Sequence, residues 1–443
     1  MQPYELSAAQ AARLIASKKL SCEELARSCL ARIDEREALI RAWSFIDRDQ
    51  VLRNARELDK NPPRGRLHGL PVGVKDVINT FDMPTGHNSP IYIGHRVGKD
   101  AACIAVARSQ GAQILGKTET AEFAAAGRKA PTCNARHPAH TPGGSSSGSA
   151  AAVGDRMVPL AFGTQTGGSL IRPAAYNGIY ALKPTHGAVS NEGAKMYSPT
   201  LDTIGWYGRS VDDLALVAQA FRLLPAPMPP RADLKGVRIG LCRGPNEADL
   251  EDSGEAALMA AATLLSEAGA VVETLSLPEP FNTLTLTHRY IMRGEGRVSM
   301  LDIYLQYPHQ LHEELRLLVE NVPGVDMATL IAARDAAAQR RCDFDALFDQ
   351  GLDLVLTPPA PGEAPHGLAS DGPMTFNAMW TALHVPCVAL PVGLGRAGLP
   401  VGIQLVARRG ADASLLQLAR LCAEAIGPAQ AIRERRLFPA GNE

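Results

Sequence analysis

The chain has 443 residues, of which 46% are hydrophobic and 21% charged; this is typical of a packed globular protein and excludes a wholly disordered one. Its formal net charge is -1, so the sequence gives no overall basic field that would attract nucleic acid or an anionic membrane. No segment approaches the roughly 18 uninterrupted apolar residues of a membrane span, and the N-terminus lacks the basic-then-apolar order of a signal peptide.

The eight cysteines are scattered and form no C-x-x-C pair, which favours reduced thiols over a disulfide framework or a zinc site. We therefore predict a cytoplasmic protein that needs no metal and no other cofactor, and that has neither a membrane nor a nucleic-acid partner.

The N-terminal segment, residues 1–62, is predicted to be helical. Apolar residues recur at helical spacing through residues 5–48, and a second helix begins after Ser21, whose capping-box partner is Glu24. A strand is predicted within residues 67–78, which are rich in valine and bounded by glycine and proline.

The following 160 residues or so alternate between helix and strand. Residues 103–118 predict a helix, a stop at Gly111 and a short strand. The proline-rich segment 223–236 is the best internal boundary. After it come a strand, a helix and a strand, which together form a βαβ unit.

The last third of the chain continues the same alternation. Residues 285–350 are predicted to be helical, 352–358 to form a buried strand, and the remainder to form two more strands and a final helix. We therefore expect one large α/β domain over residues 1–443, with a central mixed sheet covered by helices on both faces. In this division residues 63–222 form the catalytic core, and residues 236–443 complete the sheet and the substrate pocket.

Three segments carry side chains that could do chemistry: PVGVKDVI around Lys75, the loop GGSSSGS at 143–149, and GTQTGGSLIRPAA at 163–175. Each also has an ordinary structural interpretation. Lys75 could be a surface charge or pair with Asp76, a glycine-serine loop could be a linker, and GTQTGGS could hold a phosphate on its backbone N–H groups. The alanine run after GGSSSGS favours helix, however, so that loop leads into structure.

Other catalytic schemes fit the sequence less well. Residues 144–148 match G-x-S-x-G, but the nucleophile elbow with that pattern needs a preceding strand, and the segment before it has loop composition. His137 and His140 have ligand-like spacing without an obvious third ligand, so no metal site is predicted.

A serine nucleophile needs a base, because its free hydroxyl is almost entirely protonated at neutral pH. Burial in an apolar strand lowers the pKa of a lysine and can leave it neutral. Lys75, a serine of the first loop and Ser169 therefore form a plausible proton chain.

The motifs GGSSSG, GTQTGGS and RPAA, with PVGVKD upstream and LDTIG and LPVGIQLVA downstream, closely resemble the amidase signature family. The resemblance spans nearly the whole chain and implies the family's fold. It also implies that Ser169 is the acyl-forming nucleophile, that Ser145 relays the proton after a cis Gly144–Ser145 bond, and that Lys75 is the base.

The same resemblance implies the surroundings of the substrate. The backbone N–H groups of Thr166, Gly167, Gly168 and Ser169 would form the oxyanion hole. Ser146 would orient the relay serine beside the substrate, although a purely structural role is the alternative.

Two departures from the commoner family pattern are present. Gln165 stands where an acidic residue is usual, and Arg172 follows the nucleophile by three residues instead of two. This variant resembles the malonamidase-like branch, in which the arginine binds a substrate carboxylate; an ion pair with Asp202 is the alternative for Arg172. Asp202 is expected to be a buried structural carboxylate and His384 a packed core histidine.

We therefore predict an amidohydrolase that cleaves a small linear amide, carboxylate-bearing like malonamate, through an acyl-enzyme and with release of ammonia. Alternative substrates are urea-derived amides such as carboxybiuret, or neutral aryl and alkyl amides. A tRNA-dependent amidotransferase subunit is disfavoured because Gln165 and Arg172 depart from the pattern expected of it. A non-catalytic anion-binding protein is also disfavoured, because anion binding alone would not need Lys75 together with Ser145 and Ser169. The expected partner is the small amide itself, with a possible homodimer.

Overall fold

The computed structural model describes residues 2–224 and 231–438. Within them, eleven strands form one sheet in the order β1-β3-β2-β4-β6-β5-β10-β11-β9-β7-β8. The strands are β1 (Trp43–Phe45), β2 (Pro71–Lys75), β3 (Gln113–Thr118), β4 (Leu160–Gln165), β5 (Tyr180–Lys183), β6 (Thr203–Gly208), β7 (Arg238–Leu241), β8 (Val271–Thr274), β9 (Leu354–Thr357), β10 (Cys387–Leu394) and β11 (Pro400–Val406).

The α-helices of the described residues lie between and beyond these strands. They are α1 (Ala8–Ala16), α2 (Cys22–Ile40), α3 (Arg48–Lys60), α4 (Ala102–Ser109), α5 (Ser147–Gly154), α6 (Ile171–Asn177), α7 (Val211–Ala220), α8 (Asp252–Glu267), α9 (Leu284–Ser299), α10 (Leu301–Gln306), α11 (Glu313–Val319), α12 (Met327–Phe348), α13 (Thr375–Ala382), α14 (Asp412–Ile426) and α15 (Ala429–Glu434).

The sheet is mixed, as predicted. β2 runs parallel to both β3 and β4, and β7 runs parallel to β8 and β9, whereas β4, β6, β5, β10, β11 and β9 pair antiparallel in succession. Every residue of β2, β3, β4, β10 and β11 is buried, which requires helices on both faces. The edge strand β8 is largely exposed. The single α/β domain with helices on both faces is therefore confirmed.

Several local predictions are also confirmed. Ser21 and Glu24 form the predicted capping box at the start of α2. Gly111 follows α4 with a φ of 85°, the left-handed conformation that glycine adopts without steric cost. β7, α8 and β8 form the predicted βαβ unit, since the two strands are parallel neighbours. The centre of the proline-rich segment, 225–230, lies outside the described residues.

The sheet positions the residues singled out in the sequence. β2 and β4 are adjacent and parallel, with Val74 opposite Phe162, so both strands end at the same edge. Lys75 is the last residue of β2, and residues 166–169 follow the last residue of β4. Catalytic groups of α/β folds commonly meet at this carboxyl edge of the strands.

Candidate active site

Lys75 is fully buried at the end of β2. Its Nζ atom donates to the Ser145 hydroxyl and to the Thr164 hydroxyl, both at 2.7 Å. Burial lowers the pKa of Lys75 to about 7, against the opposing attraction of the Asp202 and Asp371 carboxylates. A large fraction of this amine is therefore neutral near pH 7 and able to accept a proton.

Ser145 connects Lys75 with the loop before α5. The peptide bond Gly144–Ser145 is cis, as the family resemblance implied. Ser145 is 2% exposed, and its backbone carbonyl accepts the N–H of Ala121 at 3.2 Å. Ser145 is thus held through its hydroxyl by Lys75 and through its backbone carbonyl by Ala121.

The other serines of this loop fasten it to the sheet. The Ser146 hydroxyl donates to the Thr164 carbonyl at 3.1 Å and accepts the Thr164 N–H at 3.2 Å. The Ser149 hydroxyl donates to the carbonyl of Phe162 at 2.8 Å and lies 2.6 Å from the Thr118 hydroxyl. Because the Ser146 hydroxyl is buried and occupied by the backbone of β4, its contacts support the structural alternative in place of substrate binding.

Ser169 lies between β4 and α6 and is partly exposed. Its backbone carbonyl accepts the N–H of Ser146 at 3.3 Å and the Tyr207 hydroxyl at 3.4 Å. The loop that carries Ser169 is therefore bonded directly to the loop that carries Ser145, and the structure brings Lys75 and both serine loops together.

The loop 166–168 presents its N–H groups while its carbonyls are engaged. The Thr166 carbonyl lies 2.8 Å from His288 Nε2, and the Gly167 carbonyl accepts the Thr381 hydroxyl at 2.7 Å. Within the described part of the chain, the N–H groups of residues 166–169 donate to no protein acceptor. These are the donors that an oxyanion hole requires.

At two positions of this loop, a larger residue would meet the side chains of Met374 and Asn377, which lie at the start of α13. A Cβ atom at Gly167 would lie 2.4 Å from Met374 Sδ, and one at Gly168 would lie 2.4 Å from Asn377 Oδ1. Met374, Asn377 and Thr381 were not singled out from the sequence, and they lie about 200 residues downstream of the loop they contact. None of the motifs quoted from the sequence includes these three residues.

Gln165 explains why an amide can stand at the position where the family usually has an acid. Its Oε1 accepts the N–H groups of Leu170 and Ile171 at 3.0 Å each, and its Nε2 donates to the Thr381 hydroxyl at 3.0 Å. The amide oxygen thus satisfies two N–H groups at the start of α6, as a carboxylate could.

Arg172 is buried and its guanidinium is used inside the protein. It donates to the backbone carbonyls of Gly144 and Gly372. Burial lowers its pKa, and the Asp371 carboxylate opposes that effect. These contacts bond Arg172 to the residue before Ser145, and its Nε atom is buried without an acceptor among the described residues. It also forms no ion pair with Asp202.

Asp202 is buried as the sequence argument expected, whereas His384, expected in the core, is only half-buried. Asp202 is buried, accepts the Thr166 hydroxyl through Oδ1, and accepts the N–H groups of Tyr197 and Ser198 through Oδ2 at 2.6 and 2.9 Å. Burial raises the pKa of Asp202 to about 6, against these hydrogen bonds. His384 is half-buried, and its ring stacks on that of His186 with the two ring centroids 4.1 Å apart.

Comparison with known proteins now identifies the family. The family model described as Amidase matches residues 24–416. The chain belongs to the amidase family. It is 29% identical to the solved peptide amidase in complex with chymostatin, with 95% of this chain and 98% of that one covered and a TM-score of 0.81. The family and this neighbour support an amide-hydrolysing enzyme.

Two curated relatives of this amidase have a more specific name. The A-type subunit of glutamyl-tRNA(Gln) amidotransferase from Chloroflexus aggregans is 32% identical, covering 94% of this chain and 95% of the relative. The protein of the same name from Solidesulfovibrio magneticus is 34% identical, covering 94% of this chain and 96% of the relative.

These relatives contradict two predictions from the sequence. The predicted function, hydrolysis of a small malonamate-like linear amide, is wrong on this comparison, and so is the predicted absence of a nucleic-acid partner. The predicted substrate rested on Gln165 and Arg172, and the predicted absence of a nucleic-acid partner rested on the formal net charge of -1. In the structure, Gln165 bonds the start of α6, and Arg172 donates to two backbone carbonyls.

Two predicted absences can be compared with the described residues. None of their helices combines the length and hydropathy that a membrane span requires. They also contain no cluster of three or more His, Cys, Asp or Glu side chains arranged to hold a metal ion. Cytoplasmic location and a homodimer stay predictions.

Proposed function

We propose that this amidase is the ammonia-releasing component of an amidotransferase that acts on a glutamyl-tRNA, with a primary carboxamide such as the glutamine side chain as donor. The proposal rests on the name of relatives that match the chain over nearly its whole length. The buried contact of Lys75 Nζ with Ser145 Oγ, at 2.7 Å, is the single structural observation that carries the chemistry.

The proposed first step forms an acyl-enzyme. Neutral Lys75 takes a proton from Ser145, which takes the proton of Ser169 as the Ser169 oxygen attacks the carboxamide carbon. The carbonyl oxygen gains a negative charge, and the N–H groups of residues 166–169 stabilise it. Removing one such donor typically costs about 3–4 kcal/mol of transition-state stabilisation.

The remaining steps of the cycle release first ammonia and then the carboxylic acid. Lys75 and Ser145 return the proton to the carboxamide nitrogen, the C–N bond breaks, and ammonia leaves. A water molecule then attacks the ester at Ser169, gives its proton to the same relay, and the carboxylic acid departs. Since the proton that Lys75 accepts is returned in each half, the enzyme ends in its starting state.

Several residues that do not touch the reacting atoms hold the two catalytic loops in position. Arg172 and Gly144 hold the approach to Ser145, while Gln165, Thr381 and His288 fasten the loop that carries the oxyanion donors. Each contact restrains the backbone, which is what preorganised oxyanion stabilisation requires.

The test combines the chain with the remaining amidotransferase subunits from the same source organism. Glutamine and glutamyl-tRNA(Gln) are supplied, and both ammonia release and formation of glutaminyl-tRNA(Gln) are measured. We expect both activities with the natural chain and neither with Ser169→Ala when glutamine is the donor. Free ammonia is expected to restore glutaminyl-tRNA(Gln) with Ser169→Ala, because only the ammonia-producing step is lost.

Two results would count against the proposal. Ammonia release from glutamine without any glutaminyl-tRNA(Gln), in a mixture that responds to free ammonia, would remove the amidotransferase role. Full activity of Ser169→Ala with glutamine would remove Ser169 as nucleophile.

A further inference from the structure

A cavity of about 680 Å³ lies away from Lys75 and the two serine loops, and none of its lining residues belongs to the candidate active site. Its walls come from α1, the start of β5, the segment after β6, and α15. Gly178, which ends α6, also lines it. Helix α6 therefore has the Ser169 loop at its N-terminal end and this cavity at its C-terminal end.

The described residues that line this cavity include more arginines than acids, although the whole chain has a net charge of -1. The arginines are Arg13, Arg136, Arg156, Arg209 and Arg433, and the acids are Glu5, Asp212 and Glu434. Asp212 and Glu434 are exposed, and Glu5 is already paired with Arg156 at 3.1 Å. The charge that faces the partly buried interior is consequently positive.

Apart from Arg156, the arginines of this cavity have no side-chain ion pair among the described residues. Asp213 attracts Arg209, but its two oxygens accept the backbone N–H groups of Ala9 and of Arg209 itself. Arginines that converge without a carboxylate between them repel one another, unless an anion joins them.

The arginines are close enough to perturb one another. Burial lowers the pKa of Arg209 to about 10, and the positive charges of Arg156 and Arg433 add to this against the attraction of Asp213. Burial also lowers the pKa of Arg433, and Arg156 and Arg136 act in the same direction.

Arg209 also has unused donors at this place. Its Nη2 donates to the Leu6 carbonyl, while its Nε and Nη1 atoms are buried without an acceptor among the residues that the structure describes. Buried charged donors without acceptors are costly, and a bound oxyanion would supply the missing acceptors. The guanidinium fork matches the oxygens of phosphate in a bidentate manner.

We propose that this cavity is a binding site for a phosphate group, held by Arg209, Arg433 and Arg136. Arg156 contributes charge from its pair with Glu5. The phosphate could belong to a small phosphorylated molecule or to the backbone of RNA, and the two sources share the chemistry of the site. The site does not depend on the proposed amide chemistry, since no residue is common to both.

The test measures inorganic phosphate binding to the full chain by calorimetry, with chloride exchanged for phosphate at constant ionic strength. We expect saturable binding, and at least a tenfold loss of affinity in Arg136→Gln/Arg433→Gln. Arg136→Gln alone is a second variant, chosen because Arg136 is exposed and its loss should not disturb folding. Arg420→Gln is the matched control, because Arg420 is 46% exposed on α14 and pairs with Glu424 outside the cavity.

A parallel arm identifies the source of the phosphate. If tRNA binds, is displaced by inorganic phosphate and binds more weakly to the double variant, the site takes the RNA backbone. If phosphate binds and tRNA does not compete, the site takes a small phosphorylated molecule. Absence of saturable phosphate binding, or equal affinity in the natural chain and both cavity variants, would overturn the site. Ammonia release should be unchanged in these variants, so this proposal and the proposed function fail separately.

Discussion

Two buried lysines at the ends of neighbouring strands show how the same residue can have different chemistry. Lys75 ends β2, and Lys117 lies one residue before the end of β3; both are fully buried, and the strands run parallel with Val74 opposite Lys117. Lys75 contacts two hydroxyls, of Ser145 and Thr164. Lys117 pairs with the Asp76 carboxylate at 2.9 Å and with the Thr85 hydroxyl at 2.8 Å.

The difference lies in the partner and not in burial. Burial lowers the pKa of both lysines, but the bonded Asp76 carboxylate opposes this for Lys117, whereas Lys75 feels carboxylates that it does not contact. A charged amine is the stable form beside a carboxylate, and a neutral amine becomes accessible beside hydroxyls. Lys75 is thereby suited to accept a proton, and Lys117 to hold the end of β3 against the segment around Thr85.

Replacing Lys75 tests the catalytic half of this comparison most strongly. We expect Lys75→Met to lower the rate at which a fluorophosphonate labels Ser169 by about 10²- to 10⁴-fold, the usual contribution of a general base. The free energy of unfolding should change by no more than about 1 kcal/mol, because two effects oppose each other. Removal of the buried amine removes its desolvation cost and stabilises the fold, whereas the two hydroxyls that lose their hydrogen-bond donor destabilise it. A labelling rate within threefold of the natural chain would remove Lys75 as base.

The matching change at Lys117 should do the reverse. Lys117→Met leaves Asp76 as an unpaired buried carboxylate, so we expect the free energy of unfolding in guanidinium to fall by about 3–5 kcal/mol. The folded variant should label at Ser169 at nearly the natural rate. Adding Asp76→Asn removes the orphaned charge and keeps an acceptor for the Gly86 N–H, and should recover part of the loss. Unchanged stability in Lys117→Met would contradict the structural role.

The sequence singled out Lys75 as a cation in an apolar strand, yet this pattern also describes Lys117 in QILGKT. Asp76, considered as a partner of Lys75 because it is adjacent, bonds Lys117 instead, since neighbours along a strand point to opposite faces. Local pattern could not separate the two lysines. The family motifs could, because they specify Lys75 by its distance from Ser145 and Ser169.

The fold was predictable from periodic segments such as 238–274, whose strand, helix and strand have clear boundaries. The positioning contacts were not, because they join segments far apart in the chain. Arg172 reaches Gly372 across 200 residues, and Thr381 reaches Gly167 across 214. The substrate was inferred wrongly from Arg172 because a sequence cannot tell whether a guanidinium faces a pocket or a backbone carbonyl.

A smaller effect is expected at the hydroxyl that each lysine contacts. Thr164→Val removes one of the two partners of Lys75, and a hydrogen bond of about 1 kcal/mol corresponds to roughly a fivefold lower labelling rate. Thr85→Val removes the corresponding partner of Lys117 and should lower the free energy of unfolding by about 1 kcal/mol without changing the labelling rate. The labelling rate and the free energy of unfolding are measured for both variants. An equal loss of labelling rate in the two would contradict the different roles assigned to Lys75 and Lys117.

The smallest effect concerns charge near Lys75. Because its pKa is about 7, the amine is protonated and cannot act as base at lower pH, so the labelling rate of the natural chain should fall about tenfold per pH unit below that value. The carboxylate of Asp371 favours the protonated amine, so Asp371→Asn should lower the pKa of Lys75. The fall in labelling rate on the acid side, the acid limb of the pH profile, should then move to lower pH. Asp349→Asn, whose side chain pairs with Arg408 at the surface, should leave it in place. A limb that stays fixed in Asp371→Asn, or that moves to higher pH, would mean that the titrating group is not Lys75.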